Sequence, residues 1–155
     1  MLKINSTTAK RLMIRNHNTQ KQRRCDQCRR RTPMNKIKVL VTMPGGLIRD
    51  SFIPSALAAR LEAECNVRWN MLERNYTQAE LAEAIGDAQV CLTGWGSAQF
   101  TADVLDKAPN LKVIAHTGGT VASLVDDAAY NRGIWVLSGN ELYARSVGEG
   151  VICYM

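Results

Sequence analysis

Short apolar runs alternate with stretches of helical spacing along the chain from Lys36 onward. A short run of almost continuous apolar residues is typical of a strand that is buried on both faces of a parallel sheet. The runs of this kind are Lys36–Thr42, Cys65–Trp69, Ala88–Thr93, Leu111–His116 and Ile134–Leu137. The pattern therefore predicts five strands, each followed by a helical segment.

Capping residues and helical spacing locate the helices. Thr77-Gln-Ala-Glu80 is a capping box, in which the hydroxyl and the carboxylate each satisfy a free backbone N–H group at a helix start. Before the capping box, the spacing predicts a helix over Pro54–Glu64 with Leu57 and Leu61 on one face. In the helix that the capping box begins, Leu81 and Ile85 are predicted to face the core. Further along, it predicts a short helix capped by Thr101 that carries Val104 and Leu105, a helix over Ser123–Arg132 capped by Ser123 and ended by Gly133, and a final helix with Val147, Val151 and Tyr154.

This alternation predicts an α/β fold with a doubly wound, Rossmann-like parallel sheet of five strands. Five strand–helix units in about a hundred residues favour the flavodoxin-like strand order 2-1-3-4-5. Ligands of such sheets bind beyond the carboxyl ends of the strands. Three glycine-containing loops leave those ends, at Met43–Gly46, Gly94–Gly96 and Thr117–Thr120. We therefore expect the functional site to lie among these loops.

The glycine-containing loops can bring backbone N–H groups together around an anion; alternatively, they are simply tight turns. None of them matches a G-x-x-x-x-G-K-[ST] phosphate loop or a G-x-G-x-x-G dinucleotide turn. His116 is the only histidine after residue 34, and a single histidine at a strand end is more often structural than catalytic. No Ser-His-Asp, Cys-His or metal-ligand cluster accompanies it, and Cys91 lies within an apolar strand. The sequence thus predicts an anion-binding edge with little catalytic machinery.

The first 34 residues differ from the rest of the chain in charge. They contain ten of the twenty Lys and Arg residues and a single acid, Asp26, whereas the remainder is mildly acidic. So few apolar side chains cannot bury enough surface to offset the loss of chain entropy, which predicts a disordered basic tail over residues 1–34. A nucleic-acid-binding arm is disfavoured because the tail has no aromatic residue to stack on bases. Cys25 and Cys28 alone do not supply the four ligands of a zinc site.

The compartment is inferred from the cysteines and the N-terminal segment. Five cysteines without a secretory signal favour a reducing compartment, the cytoplasm. A mitochondrial location is the alternative if residues 1–25, which lack acids, act as a presequence. The tail is alternatively an upstream extension of the reading frame without a function. No apolar run approaches the ~20 residues of a membrane-spanning helix, so an integral membrane protein is not expected.

Residues Leu111–Met155 resemble the D-isomer-specific 2-hydroxyacid dehydrogenases. That family typically has an apolar strand, a glycine-containing turn, a helix that ends in R-G-I, a short strand, and a V-A-E motif that opens a long helix. The counterparts here are Val113–Ala115, Gly118-Gly119, Arg132-Gly133-Ile134, Val136-Leu137 and Val147-Gly148-Glu149. Residues 36–110 fit the first half of the family's substrate domain, so the resemblance extends over most of the chain after the tail.

The resemblance implies a flavodoxin-like substrate-binding (catalytic) domain over residues 35–137. Residues 138–155 would be an interdomain segment and the start of a helix that leads into an NAD-binding domain. Backbone N–H groups of Gly118, Gly119 and Thr120 would bind the carboxylate of a small 2-hydroxy or 2-oxo acid, with Trp95 and His116 as further candidates for substrate contact.

The resemblance also implies NAD or NADP as the cofactor of the complete enzyme, which would be a homodimer. The family's catalytic Arg, Glu and His and its nucleotide-binding glycines are expected beyond Met155. We therefore expect the 155-residue chain alone to be inactive and to bind no cofactor.

Two departures from the family pattern leave the substrate open. His116 stands where the family usually has arginine or another residue, and Thr120-Val121-Ala122 follows where the family often has V-G-x-D after the first glycine. The alternative to an oxidoreductase is a non-enzymatic flavodoxin-like binding or interaction module with a basic arm. That alternative is disfavoured because a complete module would not ordinarily end inside an apolar helix.

Overall fold

The structure, a computed structural model, describes residues 36–155. The predicted tail, with Cys25 and Cys28, lies outside the described residues. In chain order the elements are β1 (Lys38–Val41), α1 (Leu47–Phe52), α2 (Ser55–Glu64), β2 (Asn66–Trp69), α3 (Gln78–Ile85), β3 (Val90–Thr93), α4 (Ala102–Asp106), β4 (Val113–His116), α5 (Asp127–Asn131), β5 (Trp135–Ser138) and α6 (Asn140–Tyr154).

The five strands form one parallel sheet in the order β2-β1-β3-β4-β5. The predicted doubly wound sheet and its flavodoxin-like order are therefore confirmed. The chain runs from β1 outward to β2 and then returns to pair β3 with the other side of β1. The carboxyl ends of β1 and β3 consequently flank the point where the strand order reverses, which is where open α/β sheets bind their ligands.

Alternate residues of β1 and β3 enter two different cores. Leu40, Cys91 and Ile114 face the core that is covered by α3, α4 and α5, where Leu81, Ile85, Phe100, Val104 and Leu105 are buried. Val39 and Val41 face the opposite core, which is closed by Met43, Ile53 and partly buried residues of α2. Burial raises the pKa of the Cys91 thiol, so this cysteine is a neutral core residue, in agreement with its place in an apolar strand.

The capping box at the start of α3 is confirmed. The backbone N–H of Glu80 donates to Thr77 Oγ1 at 3.4 Å, and that of Thr77 donates to Glu80 Oε2 at 2.8 Å. Arg74 adds two hydrogen bonds to the same carboxylate, at 2.7 and 2.8 Å. The hydrogen bonds from Arg74, followed by those from Thr77, lower the pKa of Glu80 to about 2. Gly133 also has its predicted role, since it adopts a positive φ of 70° after α5.

The prediction that Ser123 caps a helix over Ser123–Arg132 was wrong. The helix begins at Asp127, and the cap is Asp126, whose Oδ1 accepts from the N–H of Ala128 at 2.9 Å. A non-local contact is responsible, because Val125 forms a parallel bridge with Phe100, whose N–H donates to Leu124 O at 2.8 Å. The residues before Asp126 are thereby held outside the helix.

Three other helices differ in detail from the pattern. Helix α1 was not predicted, and the side chain of Thr101, although in the N-cap position of α4, makes no capping bond and accepts from Gln78 Nε2 at 3.1 Å. Helix α6 contains the predicted residues Val147 and Val151, starts earlier than they do, and buries none of its residues. Within residues 36–155, no helix combines the length and the apolar character that crossing a bilayer requires.

Candidate functional site

The three glycine-containing loops meet at the carboxyl edge of the sheet. Thr117, directly after β4, donates its N–H and its hydroxyl to the carbonyl oxygen of Thr93, at 2.9 and 3.1 Å. Gly94 follows β3, and a Cβ atom there would lie 2.6 Å from Cγ of Met43, the first residue of the loop after β1. Glycine at position 94 is therefore what allows the first and second loops to touch.

Ser97 ties two of these loops together. Its Oγ accepts from the backbone N–H of Gly94 at 3.2 Å and lies 3.1 Å from Oγ1 of Thr42, the buried residue that ends the first predicted strand. These bonds fix the backbone of the loop after β3, so its side chains are held in a defined position at the sheet edge.

The imidazole of His116 is held from one side only. Its Nδ1 lies 2.9 Å from Oγ1 of Thr93, which is fully buried. Burial lowers the pKa of His116, so the ring is neutral at pH 7. Nε2 lies on the side of Gly118, and among residues 36–155 it has no hydrogen-bond partner. His116 therefore contributes a polar ring nitrogen to the edge, and no charge.

Gly118 passes between two ring nitrogens. A Cβ atom at this position would lie 2.5 Å from His116 Nε2 and 3.0 Å from Trp95 Nε1. Like His116 Nε2, the indole N–H of Trp95 has no acceptor within the part of the chain that the structure describes. Three of the predicted site residues, Trp95, His116 and Gly118, are thus brought together, and only glycine leaves room for both rings.

The backbone of this turn is oriented by bonds to its carbonyl groups. Thr117 O accepts from the Tyr143 hydroxyl at 2.8 Å, and Gly118 O accepts from the N–H of Gly139 at 2.9 Å. In a trans peptide the C=O and N–H groups point in opposite directions, and the described residues contain no cis peptide. The N–H groups of Gly118 and Gly119 therefore point away from the groups that hold those carbonyls.

The amides of the turn after β4 are left without an acceptor in the part of the chain that the structure describes. Within residues 36–155, no acceptor is in hydrogen-bonding geometry with the N–H groups of Gly118, Gly119 or Thr120. Gly118 is buried, Gly119 is half-buried and Thr120 is exposed, so the predicted triplet extends from the sheet edge to the surface. A Cβ atom at Gly119 would meet only Asn140 Oδ1, at 3.3 Å.

Trp95 is an exposed aromatic residue with a fixed orientation. Its ring and that of Phe52 at the end of α1 are 5.3 Å apart at an interplanar angle of 86°, which is an edge-to-face contact. Its carbonyl oxygen accepts from Asn75 Nδ2 at 3.1 Å, and Gly96 after it adopts a φ of 74°. The sequence pattern did not identify Phe52, because α1 itself was missed.

A cleft lies between α1, α2 and the end of β2. It has a volume of about 670 Å³ and is lined by Arg49, Asp50, Ile53, Pro54, Ser55, Ala58, Glu62, Trp69 and Met71. The Arg49 guanidinium lies over the Trp69 ring, 5.3 Å from its centre, and the indole N–H of Trp69 donates to Glu62 Oε1 at 2.8 Å. Several polar groups of the cleft are therefore already paired. Across residues 36–155, no three His, Cys, Asp or Glu side chains are grouped as metal ligands.

Comparison with known proteins identifies the relatives of this chain. A family model described as D-isomer specific 2-hydroxyacid dehydrogenase, catalytic domain, matches residues 47–151. A D-3-phosphoglycerate dehydrogenase of Methanocaldococcus jannaschii is 38% identical over 73 residues, which is 47% of this chain and 14% of the relative. The chain thus spans a small part of that relative's length.

Solved structures share the fold. A Polaromonas sp. JS6 66 structure described as a D-isomer specific 2-hydroxyacid dehydrogenase, NAD-binding, is 24% identical with a TM-score of 0.55, over 65% of this chain and 29% of that one. The NAD-dependent formate dehydrogenase of Staphylococcus aureus, in complex with NAD, is 22% identical with a TM-score of 0.50, over 66% of this chain and 31% of that one. At these identities the likeness establishes the architecture alone.

Proposed function

Because this chain belongs to the D-isomer specific 2-hydroxyacid dehydrogenase family, through its catalytic domain, we propose that it supplies the substrate-binding part of an NAD- or NADP-dependent oxidoreductase. The reaction would oxidise the CH–OH group of a D-2-hydroxy acid and, in reverse, reduce a 2-oxo acid. In this proposal residues 35–137 bind the substrate, residues 138–155 lead towards a nucleotide-binding domain, and the complete enzyme is a homodimer.

The observation that carries the proposal is the direction of two backbone N–H groups. The N–H groups of Gly118 and Gly119 point away from the groups that anchor the neighbouring carbonyls. They donate no hydrogen bond to any acceptor within residues 36–155. Converging backbone N–H groups are a common way of binding a carboxylate without a charged side chain. Thr120 adds a third amide at the exposed end of the turn. These groups would hold the acid and fix the position of its C2 carbon.

His116 and Trp95 complete the polar surroundings of the acid. Their ring nitrogens lie within 2.5 and 3.0 Å of the Cβ position at Gly118, and neither has a partner among residues 36–155. Trp95 can only donate, whereas neutral His116 donates or accepts at Nε2, depending on its tautomer. Their role in the proposal is to orient the substrate. The acid–base group of the reaction is not assigned to them.

The described residues do not fit a dinucleotide. The glycine pair after β1 leads into α1, which has six residues, and no G-x-G-x-x-G turn opens a helix within residues 36–155. Dinucleotide sites on related folds need such a turn, so that N–H groups and the helix dipole meet the pyrophosphate. No step of the reaction is therefore assigned to a cofactor held by these residues.

The experiment is a titration of the ¹⁵N-labelled chain, followed in ¹H–¹⁵N correlation spectra. D-lactate should shift the amide signals of Gly118 and Gly119 and the indole signal of Trp95 at millimolar concentrations. D-lactamide, which has no carboxylate, should leave them in place, and the helix amides of Gly148 and Gly150 serve as internal controls. The proposal fails if D-lactate moves none of the three signals, or if D-lactamide moves them equally.

A variant adds an independent check on the location of the acid. Gly119→Ala should preserve the fold, because the nearest atom to the added Cβ is Asn140 Oδ1 at 3.3 Å. The methyl group would nevertheless narrow the approach to the adjacent N–H groups and weaken D-lactate binding. Gly148→Ala, whose Cβ meets nothing within 4 Å, is the matched control and should bind D-lactate as the wild type does.

A further inference from the structure

The side group of the substrate is the part of the molecule that the turn after β4 does not specify. A carboxylate held by Gly118 and Gly119 would lie directly beside the indole of Trp95, whose Nε1 is 3.0 Å from the Cβ position of Gly118. The side group of the acid must then extend from C2 along the side chains that surround this turn. Trp95 is the large side chain there that combines this proximity with a high exposure of 61%.

Trp95 is contacted at its ring and at its backbone. Phe52 contacts its ring edge-to-face, and Asn75 fixes its carbonyl oxygen. Exposing an apolar ring to water is unfavourable, and immobilising it adds the loss of side-chain entropy. Because Phe52 already contacts one side of the ring, a ligand that packs on the exposed face has less side-chain freedom to restrict, so contact with an apolar group is favoured.

The three loops at this edge contribute no charged side chain of their own that could bind a second anionic group. The loops over residues 43–46, 94–99 and 117–123 contain no Lys, Arg, Asp or Glu. His116, whose imidazole lies beside Gly118, is kept neutral by burial. Two arginines of the adjoining segments already have partners. The guanidinium of Arg49, 3.5 Å from the Cβ position of Gly45, lies over Trp69 and 3.6 Å from Asp50, and Arg74 makes two bonds to Glu80. A phosphate or second carboxylate would have to compete with these partners for a cation.

We infer that the substrate of this site is a D-2-hydroxy acid, or the matching 2-oxo acid, with one carboxylate as its only charge and an aromatic side group that packs on Trp95. The inference rests on the proposed function, because the carboxylate amides of Gly118 and Gly119 define where the side group begins. It specifies in addition that Trp95 determines which acids bind tightly.

Three D-2-hydroxy acids that differ at C3 test the inference directly. D-lactate has a methyl group there, D-phenyllactate adds a phenyl ring, and D-3-phosphoglycerate adds a phosphate. The dissociation constant of each is measured from the amide shifts of Gly118 and Gly119 in the full 155-residue chain. D-phenyllactate should bind about tenfold more tightly than D-lactate, and D-3-phosphoglycerate should bind no more tightly than D-lactate. Ring-current shifts from the phenyl group should appear at the indole signal of Trp95.

Two tryptophan variants separate recognition by Trp95 from general adhesion to aromatic surface. Trp95→Ala removes the indole N–H for both acids and the aromatic contact for D-phenyllactate alone, so D-phenyllactate should lose more affinity than D-lactate and the roughly tenfold preference should disappear. Trp135→Ala is the control, since Trp135 is 73% exposed and lies at the amino end of β5, opposite Val113. This variant should keep the full preference.

The outcomes distinguish this inference from the proposed function. If the three acids shift Gly118 and Gly119 with equal affinity, or if D-3-phosphoglycerate binds most tightly, the inference is overturned while the carboxylate site stands. If D-phenyllactate perturbs the indole of Trp135 as strongly as that of Trp95, its binding is non-specific and the inference is again overturned. If D-lactate shifts neither glycine, both the inference and the proposed function are wrong.

Discussion

Thr93 Oγ1 lies 2.9 Å from His116 Nδ1, and the two residues are register partners at the ends of β3 and β4. Side chains of register partners in neighbouring strands project from the same face of the sheet. The pairing therefore orients the imidazole so that its other nitrogen faces Gly118. In this way the sheet register, and not the loop, determines which ring atom is presented at the candidate site.

The first prediction concerns the pH dependence of stability. Burial lowers the pKa of His116 in the folded chain, so the unfolded chain binds the proton more readily. Stability should therefore decrease as the pH falls below about 6.5, the pKa of an unperturbed histidine, and should be level above it. His116→Gln, which cannot be protonated, should lack this part of the dependence.

Urea unfolding at a series of pH values from about 5 to 7.5 measures the effect in both proteins. The second histidine, His17, is present in both, so its contribution cancels in the difference. A difference between wild type and His116→Gln that stays constant over this range would show that the folded ring is not shielded from protonation.

The second prediction concerns the contact between Gly118 and the two rings. Gly118→Ala should destabilise the fold by about 1–3 kcal/mol, the usual range for an overpacked site, because the added methyl would meet His116 and Trp95. It should also shift the indole signal of Trp95 in the absence of ligand. Gly148→Ala should instead be neutral or stabilise by up to about 1 kcal/mol, since it replaces a helical glycine with open surroundings.

Thermal or urea unfolding of the two alanine variants gives the comparison. Equal stability of Gly118→Ala and the wild type, together with an unmoved indole signal, would mean that the rings do not flank this glycine in solution.

The strand order was predicted from the usual topology of five strand–helix units. The five strands were predicted from apolar runs, and the loops at their carboxyl ends, where the candidate site is expected, were predicted from their glycines. The strands and the loops are local features, since each depends on a few consecutive residues. The capping box was predictable for the same reason, because Thr77 and Glu80 are three positions apart.

The features that the pattern could not predict depend on distant partners. Ser123 has the sequence features of a helix cap, but Val125 forms a bridge with Phe100 in another loop and keeps this segment out of the helix. The Thr93–His116 pair requires the strand register, and the Phe52–Trp95 contact requires α1, whose residues show no clear apolar periodicity. The carboxylate hypothesis came from a family resemblance, and the orientation of its N–H groups became visible only with Tyr143 in place.

The third prediction concerns acid stability. The hydrogen bonds from Arg74 lower the pKa of Glu80 from 4.5 to about 2. The folded state is therefore stabilised by the ionised carboxylate above pH 4.5, and this contribution is lost progressively as the pH falls towards 2. Glu80→Gln retains a side chain that can complete the capping box and removes the titration.

The wild type should thus lose more stability than Glu80→Gln when the pH is lowered from about 5 to 2.5, as measured by urea midpoints. The difference should shrink in high salt, because Arg74 and Glu80 lie at the surface and their attraction is screened. Parallel acid profiles for the two proteins at low salt would contradict the assignment.

The fourth prediction links the last helix to the candidate site. The hydroxyl of Tyr143 donates to Thr117 O at 2.8 Å and so orients the peptide whose N–H belongs to Gly118. Tyr143→Phe removes that bond, which is worth about 0.5–1.5 kcal/mol net, and lets the peptide rotate. The dissociation constant for D-lactate should rise by about two- to tenfold, which is the factor that this free energy gives if all of it is lost from binding.

Tyr154→Phe is the matched control, because Tyr154 is 95% exposed and its hydroxyl has no partner within residues 36–155. If D-lactate binding weakens equally in both variants, or in neither, the hydroxyl of Tyr143 does not orient the N–H groups that bind the carboxylate.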